Sequence, residues 1–347
     1  MDASRELQRL AGGYQVTQAI HVAARLGISD LLATSPKTLA ELASATGTDE
    51  ESLARLMHAL TALGLYTADG DAFANTELGA ALRVDAPHSV AGWARFIGTG
   101  SHWEAYTGLE QSIRTGETAF PAVHGEPVWE YRAKHPDEQA AFDAAMTSRS
   151  DAVADAVPAA YDFSRYQTVV DIGGGRGQLL ARILERNPAV SGVLFDQPDV
   201  VAGADDLLAA SGVAARCKVV GGNFFESVPA GDAMVLKSVI HDWADAESIQ
   251  ILRTCRRSLP ADGRVLLVEQ LLDRSPDPVG TAFSDLNMLV MTGGRERSTD
   301  QYEALFAAAG LGLSDVVPTG GQSFIIEATP RHQAWLSETV GGLRHYQ

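Results

Sequence analysis

Cysteine is nearly missing from this chain: Cys217 and Cys255 are the only two among 347 residues. That excludes a disulfide framework and a cysteine-rich zinc site, and it fits a reducing cytoplasm. Long apolar runs are missing too. No stretch approaches the ~20 apolar residues that a membrane-spanning helix needs. The polar, mixed-charge start MDASRELQRLAGGYQ has no signal-peptide core. The expectation is a cytoplasmic protein with no membrane partner. Basic charge is scarce: 27 Lys and Arg against 44 Asp and Glu leave a net charge of −17. Such a surface repels a phosphate backbone, so nucleic acid is not expected as a partner.

What is present suits a folded protein with a sizeable core. Hydrophobic residues make up 46% of the chain, and its length suits two domains. Residues 1–95 read as helices. TQAIHVAARLGISDLLA spaces Ile20, Ala23, Ala24, Leu26, Ile28, Leu31 and Leu32 close to a helical repeat. A second helix opens at Thr48, with Leu53, Leu56, Met57, Leu60 and Leu63 as its buried stripe. LYTADGDAF reads as strand, Asp-Gly turn, strand. Together these suggest a winged-helix module. A DNA-binding role is disfavoured there. From Pro36 to Asp85, three basic residues (Lys37, Arg55, Arg83) face eight acidic ones, a net of −5. Residues 96–165 form a helical connector rich in aromatics, including Trp93 and Phe96 at its edge and Trp103, Tyr106, Phe120, Trp129, Tyr131 and Phe142 within it.

From residue 166 the pattern changes. TVVDIG, SGVLFD, CKVVGGNFF, AMVLKSVIHDW and GRVLLVEQ are short β-rich runs separated by helical stretches. That alternation predicts an α/β fold, a doubly wound parallel sheet, over residues 166–347. Ligands sit at the carboxyl ends of strands in such sheets. VVDIGGGRGQLL puts Gly173, Gly174, Gly175 and Gly177 between a strand and a helix, an arrangement that lets backbone approach a ligand. Gln178 stands where the dinucleotide pattern wants its third glycine. Asp171 precedes the turn, where an acid would oppose a pyrophosphate, so a cationic ligand without phosphate suits better. Asp196 ends the next run, 23 residues after Gly173, where an acid meets ribose hydroxyls.

VVDIGGGRG, FDQPDV, GGNFFESVP, LKSVIHDWAD, VLLVEQLL and GGRERSTDQYEALFAAAGL occur in that order. In this the chain resembles the S-adenosylmethionine-dependent, metal-independent O-methyltransferases: plant caffeate-type and acetylserotonin-type enzymes and bacterial antibiotic-pathway relatives. The resemblance spans nearly the whole chain. It implies a Rossmann-like catalytic domain, an N-terminal all-helical winged-helix dimerisation domain, a homodimer and no metal. It also implies that Asp171, Gly173, Gly174 and Gly175 approach the methionine end of S-adenosylmethionine. Asp196 and Gln197 would take the ribose, Asn223 and Phe224 would flank the adenine, and Lys237 and Ser238 would lie at the next strand end. Many relatives have Asp where this chain has Asn223, whose carbonyl can still accept one hydrogen bond from the adenine amino group.

KSVIHDW places His241 at the end of a strand, at the mouth of the sheet. A phenol has a pKa of about 10, and a histidine near 6.5 can take its proton as the new bond forms. The resemblance makes His241 the base and Glu269 and Glu296 its supports. Asp242 is a candidate for substrate contact or for capping the following helix. Aligned with the family pattern, Phe142, Met146, Trp243, Asn287, Met288 and Met291 are pocket candidates, thioether and aromatic walls suiting a flat aromatic acceptor. Methylation of nitrogen or carbon, cofactor binding without methyl transfer, and metal-dependent catechol methylation are the alternatives.

Overall fold

A computed structural model describes residues 2–331; residues 332–347, assigned above to the catalytic domain, lie outside the described residues. The chain forms two compact units. One holds the residues up to Val153 together with Leu289–Gly293; the other holds Ala154–Met288 and the described residues from Gly294 onward.

The first unit is mainly helical, with Gly13–Leu26, Leu39–Thr46 and Glu50–Ala62 packed around Ala24, Ile28, Leu42, Leu53, Met57, Leu60 and Tyr66. Its local signals are ordinary capping chemistry. Thr38 and Glu41 form a reciprocal capping box at Leu39–Thr46. Asp49 caps Glu50–Ala62 by accepting from the Ser52 N–H at 2.8 Å, so that helix starts one residue after the expected Thr48 position. Leu53, Met57 and Leu60 are buried as the stripe requires, but Leu63 falls at the helix end and is 43% exposed. The unit is not all-helical. Strands β1 (Lys37–Thr38), β2 (Tyr66–Asp69) and β3 (Ala72–Asn75) form a small antiparallel sheet in the order β1-β3-β2. Gly70 turns the β2–β3 hairpin at φ +62.

The second unit holds a seven-stranded sheet made of β4 (Thr168–Ile172), β5 (Ser191–Asp196), β6 (Cys217–Gly221), β7 (Ala233–Lys237), β8 (Arg264–Gln270), β9 (Leu311–Pro318) and β10 (Ser323–Pro330), in the order β6-β5-β4-β7-β8-β10-β9. Strands β4 to β8 pair parallel, while β10 is antiparallel to both β8 and β9. The sheet is therefore mixed, not wholly parallel. The closing β9–β10 hairpin needs no crossover helix, so its last strand must run backwards. β4, β7 and β8 are buried along nearly their whole length, as strands covered on both faces are. The direction of winding reverses between β4 and β7, and the crevice beyond their carboxyl ends is where such sheets bind ligands.

Candidate active site

Asp171 is the penultimate residue of β4, and the glycine turn follows it. Gly173, Gly175 and Gly177 all adopt positive φ, so the turn is closed by backbone that other residues resist. Gly174 is needed for space. A Cβ there would lie 2.7 Å from the Asp171 carboxyl carbon and 2.6 Å from Leu194. Asp171 is thus sealed beneath the turn at 1% exposure, with no hydrogen-bond partner for either oxygen. Burial pushes its carboxyl up to about 7, against the pull of Lys237 and with a push from Asp196.

Asp196 ends β5, and its carboxylate accepts from the Gly175 N–H at 2.8 Å and the Gln197 N–H at 2.7 Å. The turn and the acid expected to meet the ribose are therefore joined directly. Two carboxylates beside one lysine make this a site for a cation, not a pyrophosphate, and they fit S-adenosylmethionine. Asn223 behaves differently from expectation. Its carbonyl accepts from the Phe225 N–H at 3.0 Å, and its amide donates to Glu226 at 3.3 Å. The oxygen set aside for adenine already caps a turn. Phe224 packs edge-on against Trp243 at 5.9 Å, and Phe225 does so at 4.7 Å. Trp243, expected in the acceptor pocket, belongs to this aromatic group.

His241 lies not at the end of β7 but on a 3₁₀ turn, Ile240–Asp242, beyond it. The backbone between them explains the position. Ser238 sits at φ +53, a strained value for a residue with a side chain. Val239 follows with right-handed angles. That alternation turns successive N–H groups to one side as an anion-binding nest. The anion is Glu269, penultimate in β8, whose Oε1 accepts from Val239 at 3.1 Å and Ile240 at 2.9 Å. Its Oε2 stands 3.4 Å from His241 Nδ1. Glu296 Oε1 is nearer to Nδ1, at 3.1 Å, and also accepts from the Ser284 hydroxyl at 2.7 Å. Asp285 holds the Glu296 backbone N–H at 2.9 Å.

Nδ1 faces both glutamates and therefore carries the proton, so Nε2 is the acceptor nitrogen of the neutral ring. Burial disfavours the imidazolium, but Glu269 and Glu296 outweigh it and raise His241 to about 10. Burial also raises Glu269 to about 7. The ligand atoms of His241, Glu269 and Glu296 lie within 4.8 Å of one another, close enough to suggest an ion. Nδ1 stands 3.1 Å from Glu296 Oε1 and 3.4 Å from Glu269 Oε2, so a proton on that nitrogen lies within reach of both carboxylates.

Asp242 does not cap the next helix, Asp245–Ser258, whose N-cap is Ala244. Asp242 Oδ1 instead stands 3.9 Å from His241 Nε2. Asn287 and Met288 lie on Pro278–Met291 in the second unit, with Met288 buried. Phe142, Met146 and Met291 belong to the first. Met291 is ordinary core there, with Ala105, Phe120 and Val128. Phe142 packs between Phe96 and Trp129, with the Arg132 guanidinium 3.8 Å above its ring.

Two family models match the chain: an O-methyltransferase dimerisation domain over residues 8–85 and an O-methyltransferase domain over residues 106–312. This chain belongs to the S-adenosylmethionine-dependent O-methyltransferase family. It is an enzyme of the methyltransferase class that uses S-adenosylmethionine. A phenazine O-methyltransferase, PhzM, of Lysobacter antibioticus is 43% identical over 93% of this chain and 95% of its own. The crystal structure of LaPhzM superposes with a TM-score of 0.91 at 42% identity, over 95% of this chain and 100% of that one. A mitomycin biosynthesis 6-O-methyltransferase of Streptomyces lavendulae is 39% identical over 92% of each chain. Human N-acetylserotonin methyltransferase, solved with S-adenosylmethionine, gives a TM-score of 0.88 at 28% identity, over 96% of this chain and 99% of that one. The family's chemistry varies. A riboflavin-type N,N-dimethyltransferase of Streptomyces davaonensis is 35% identical, and an aclacinomycin 10-hydroxylase of Streptomyces purpurascens is 34% identical.

Motif reading of this methyltransferase missed Ser284, Asp285 and Arg297, which hold the His241 segment and Glu296, and it gave Ser238 only a place beside the cofactor. The positive φ of Ser238 has no sequence signature. Ser284 and Asp285 reach Glu296 from about a dozen residues away, and Arg297 reaches carbonyls more than fifty residues away.

Proposed function

We propose that this methyltransferase transfers the methyl group of S-adenosylmethionine to a hydroxyl of a small, flat aromatic metabolite, with His241 as general base. One observation carries the reading: the imidazole is held on its Nδ1 side by two buried carboxylates, beside a glycine turn built for a cation. When bound, S-adenosylmethionine supplies an electrophilic methyl group on a sulfonium whose positive charge lowers the proton affinity of a neighbouring imidazole. Gly173 packs against Val239, two residues before His241, so turn and base share one crevice.

Each residue then has a defined task. Glu296 and Glu269 fix the tautomer and stabilise the imidazolium once Nε2 has taken the phenol proton. Glu269 also anchors the turn through its nest. Asp196 and Gln197 hold the ribose, and Phe224 with Trp243 walls the adenine. The turn from Asp171 through Gly175 meets the methionine end, with Lys237 and Ser238 opposite. Met288 remains an acceptor-side candidate, with Asn287 and Asp242 as polar contacts. Holding oxygen and methyl in line supplies most of the rate, up to about 7–11 kcal/mol, and the base adds about 10²–10⁴-fold.

A homodimer in the cytoplasm completes the proposal. The helix Ala3–Ala11 buries none of its residues, and Leu7, Leu10 and Tyr14 are 68%, 60% and 57% exposed. A second copy would cover them, and light scattering at micromolar concentration checks it. The direct test is calorimetric titration with S-adenosylmethionine and S-adenosylhomocysteine, on wild type and Asp196→Ala. It is followed by a screen of phenolic acceptors with His241→Ala as control. Micromolar binding lost in the first variant supports the cofactor site. Full turnover in His241→Ala would remove the base.

A further inference from the structure

Arg297 heads the largest side chains that are fully buried among the described residues. A guanidinium is costly to bury unless each donor is met. Here every direction is used. Nη1 donates to the Ile240 carbonyl at 3.1 Å and the Arg295 carbonyl at 3.3 Å. Nη2 donates to the Trp243 carbonyl at 2.8 Å and to Asp245 Oδ1 at 2.9 Å, and Nε reaches the same carboxylate at 3.2 Å. The Tyr302 ring lies 6.0 Å from the guanidinium carbon.

The Ile240 and Trp243 carbonyls flank His241 and Asp242. The backbone is fastened beside them: the Arg295 N–H donates to the His241 carbonyl at 2.8 Å. Gly294 lies so near that a Cβ there would sit 1.9 Å from that oxygen. One end of the clamped segment, Ile240, also donates its N–H to Glu269. The other end, Trp243, carries the ring that packs on Phe224 and Phe225.

We propose that Arg297 is the positioning residue of this site, setting the base and the aromatic wall of the cofactor site together from one buried clamp. The inference rests on the functional reading above. Arg is required because its planar fork reaches three carbonyls and a carboxylate at once, which a lysine ammonium on a flexible stem does not. A purely structural arginine would stabilise the fold without tying cofactor affinity to the state of His241.

The test uses the full chain and needs no acceptor. Arg297→Lys and Arg297→Met are titrated with S-adenosylmethionine and S-adenosylhomocysteine. The His241 imidazole is titrated by NMR, its signal assigned through His241→Ala. The charged groups facing that ring are Glu269 from β8, Glu296 from the loop after Pro278–Met291 and Asp242 on its own turn. The expected result in Arg297→Lys is a Kd raised about tenfold or more together with a His241 midpoint moved toward the ordinary value. Wild-type Kd and midpoint in a folded Arg297→Lys, whatever its melting temperature, overturn the proposal. If neither Arg297 variant folds, Asp245→Asn decides: it leaves the guanidinium in place but unlocks it. The same paired change supports the clamp, and wild-type values overturn it. Wild type that binds neither nucleoside refutes the functional reading, and the His241 titration still decides the clamp.

Discussion

Asp171→Asn should make the free protein more stable as the pH rises. The carboxyl is 1% exposed, without a hydrogen-bond partner, and burial lifts it from 3.8 to about 7. A raised carboxylate favours the fold in its protonated form. Its contribution is complete below 3.8 and is lost as the pH climbs through 7. At about 1.4 kcal/mol per tenfold change, the ionised group costs the fold about 4 kcal/mol above pH 7. The amide has the same shape and no charge, but it is itself buried without a partner, a constant cost of about 1–3 kcal/mol. The decisive quantity is therefore the pH slope, from which that constant cancels. Between pH 5.5 and pH 9, both above the isoelectric point near 4.9, the stability of the variant relative to wild type should rise by about 2 kcal/mol. Urea unfolding of both proteins at the two pH values measures it. A difference that stays flat, within about 0.5 kcal/mol, refutes the reasoning, because Asp171 would then ionise as freely in the fold as in the unfolded chain. The same substitution should weaken S-adenosylmethionine binding, since the cost is borne for a cationic ligand.

The remaining predictions concern the base. His241→Ala should lose about 10²–10⁴-fold in kcat with calorimetric affinity for S-adenosylhomocysteine preserved. Glu296→Gln removes one of the carboxylates that raise His241, so the acid limb of the pH–rate profile should move to lower pH; an unmoved limb would take Glu296 out of contact with the base. The two glutamates should differ in stability. Glu269→Gln keeps an oxygen for the Val239 and Ile240 N–H groups, whereas Glu269→Ala orphans both at about 1–3 kcal/mol each, visible as a lowered melting temperature in the alanine variant alone. Chelation by EDTA should leave turnover unchanged, and loss of activity restored by a divalent cation would make His241, Glu269 and Glu296 metal ligands instead.

Local patterns carried much of this protein. Strand-length apolar runs, helical stripes and the Asp-Gly hairpin all depend on residues a few positions apart, and their physics can be read along the chain. The glycine turn with Asp171 and Asp196 was legible for the same reason, one residue type per backbone need. The six ordered motifs then placed the chain in its family, and with it the cofactor.

Only the tertiary structure decided how the site is held. The backward run of β10 depends on a closing hairpin that no periodicity announces. Asn223 was legible only as a residue type offered to adenine, and folding also sets its oxygen to cap a turn. Trp243 read as an acceptor wall, and only the fold shows its ring packed on Phe224 and Phe225. The unequal work of the two glutamates comes from a left-handed Ser238 that aims two amides at Glu269, and Arg297 matters because folding puts it against carbonyls more than fifty residues away. Composition and spacing determined which groups this protein owns. Which of them can ionise, donate or stay still was set by burial and by partners distant in sequence, because the cost of a charge or an unpaired N–H is fixed by its surroundings and not by its neighbours along the chain.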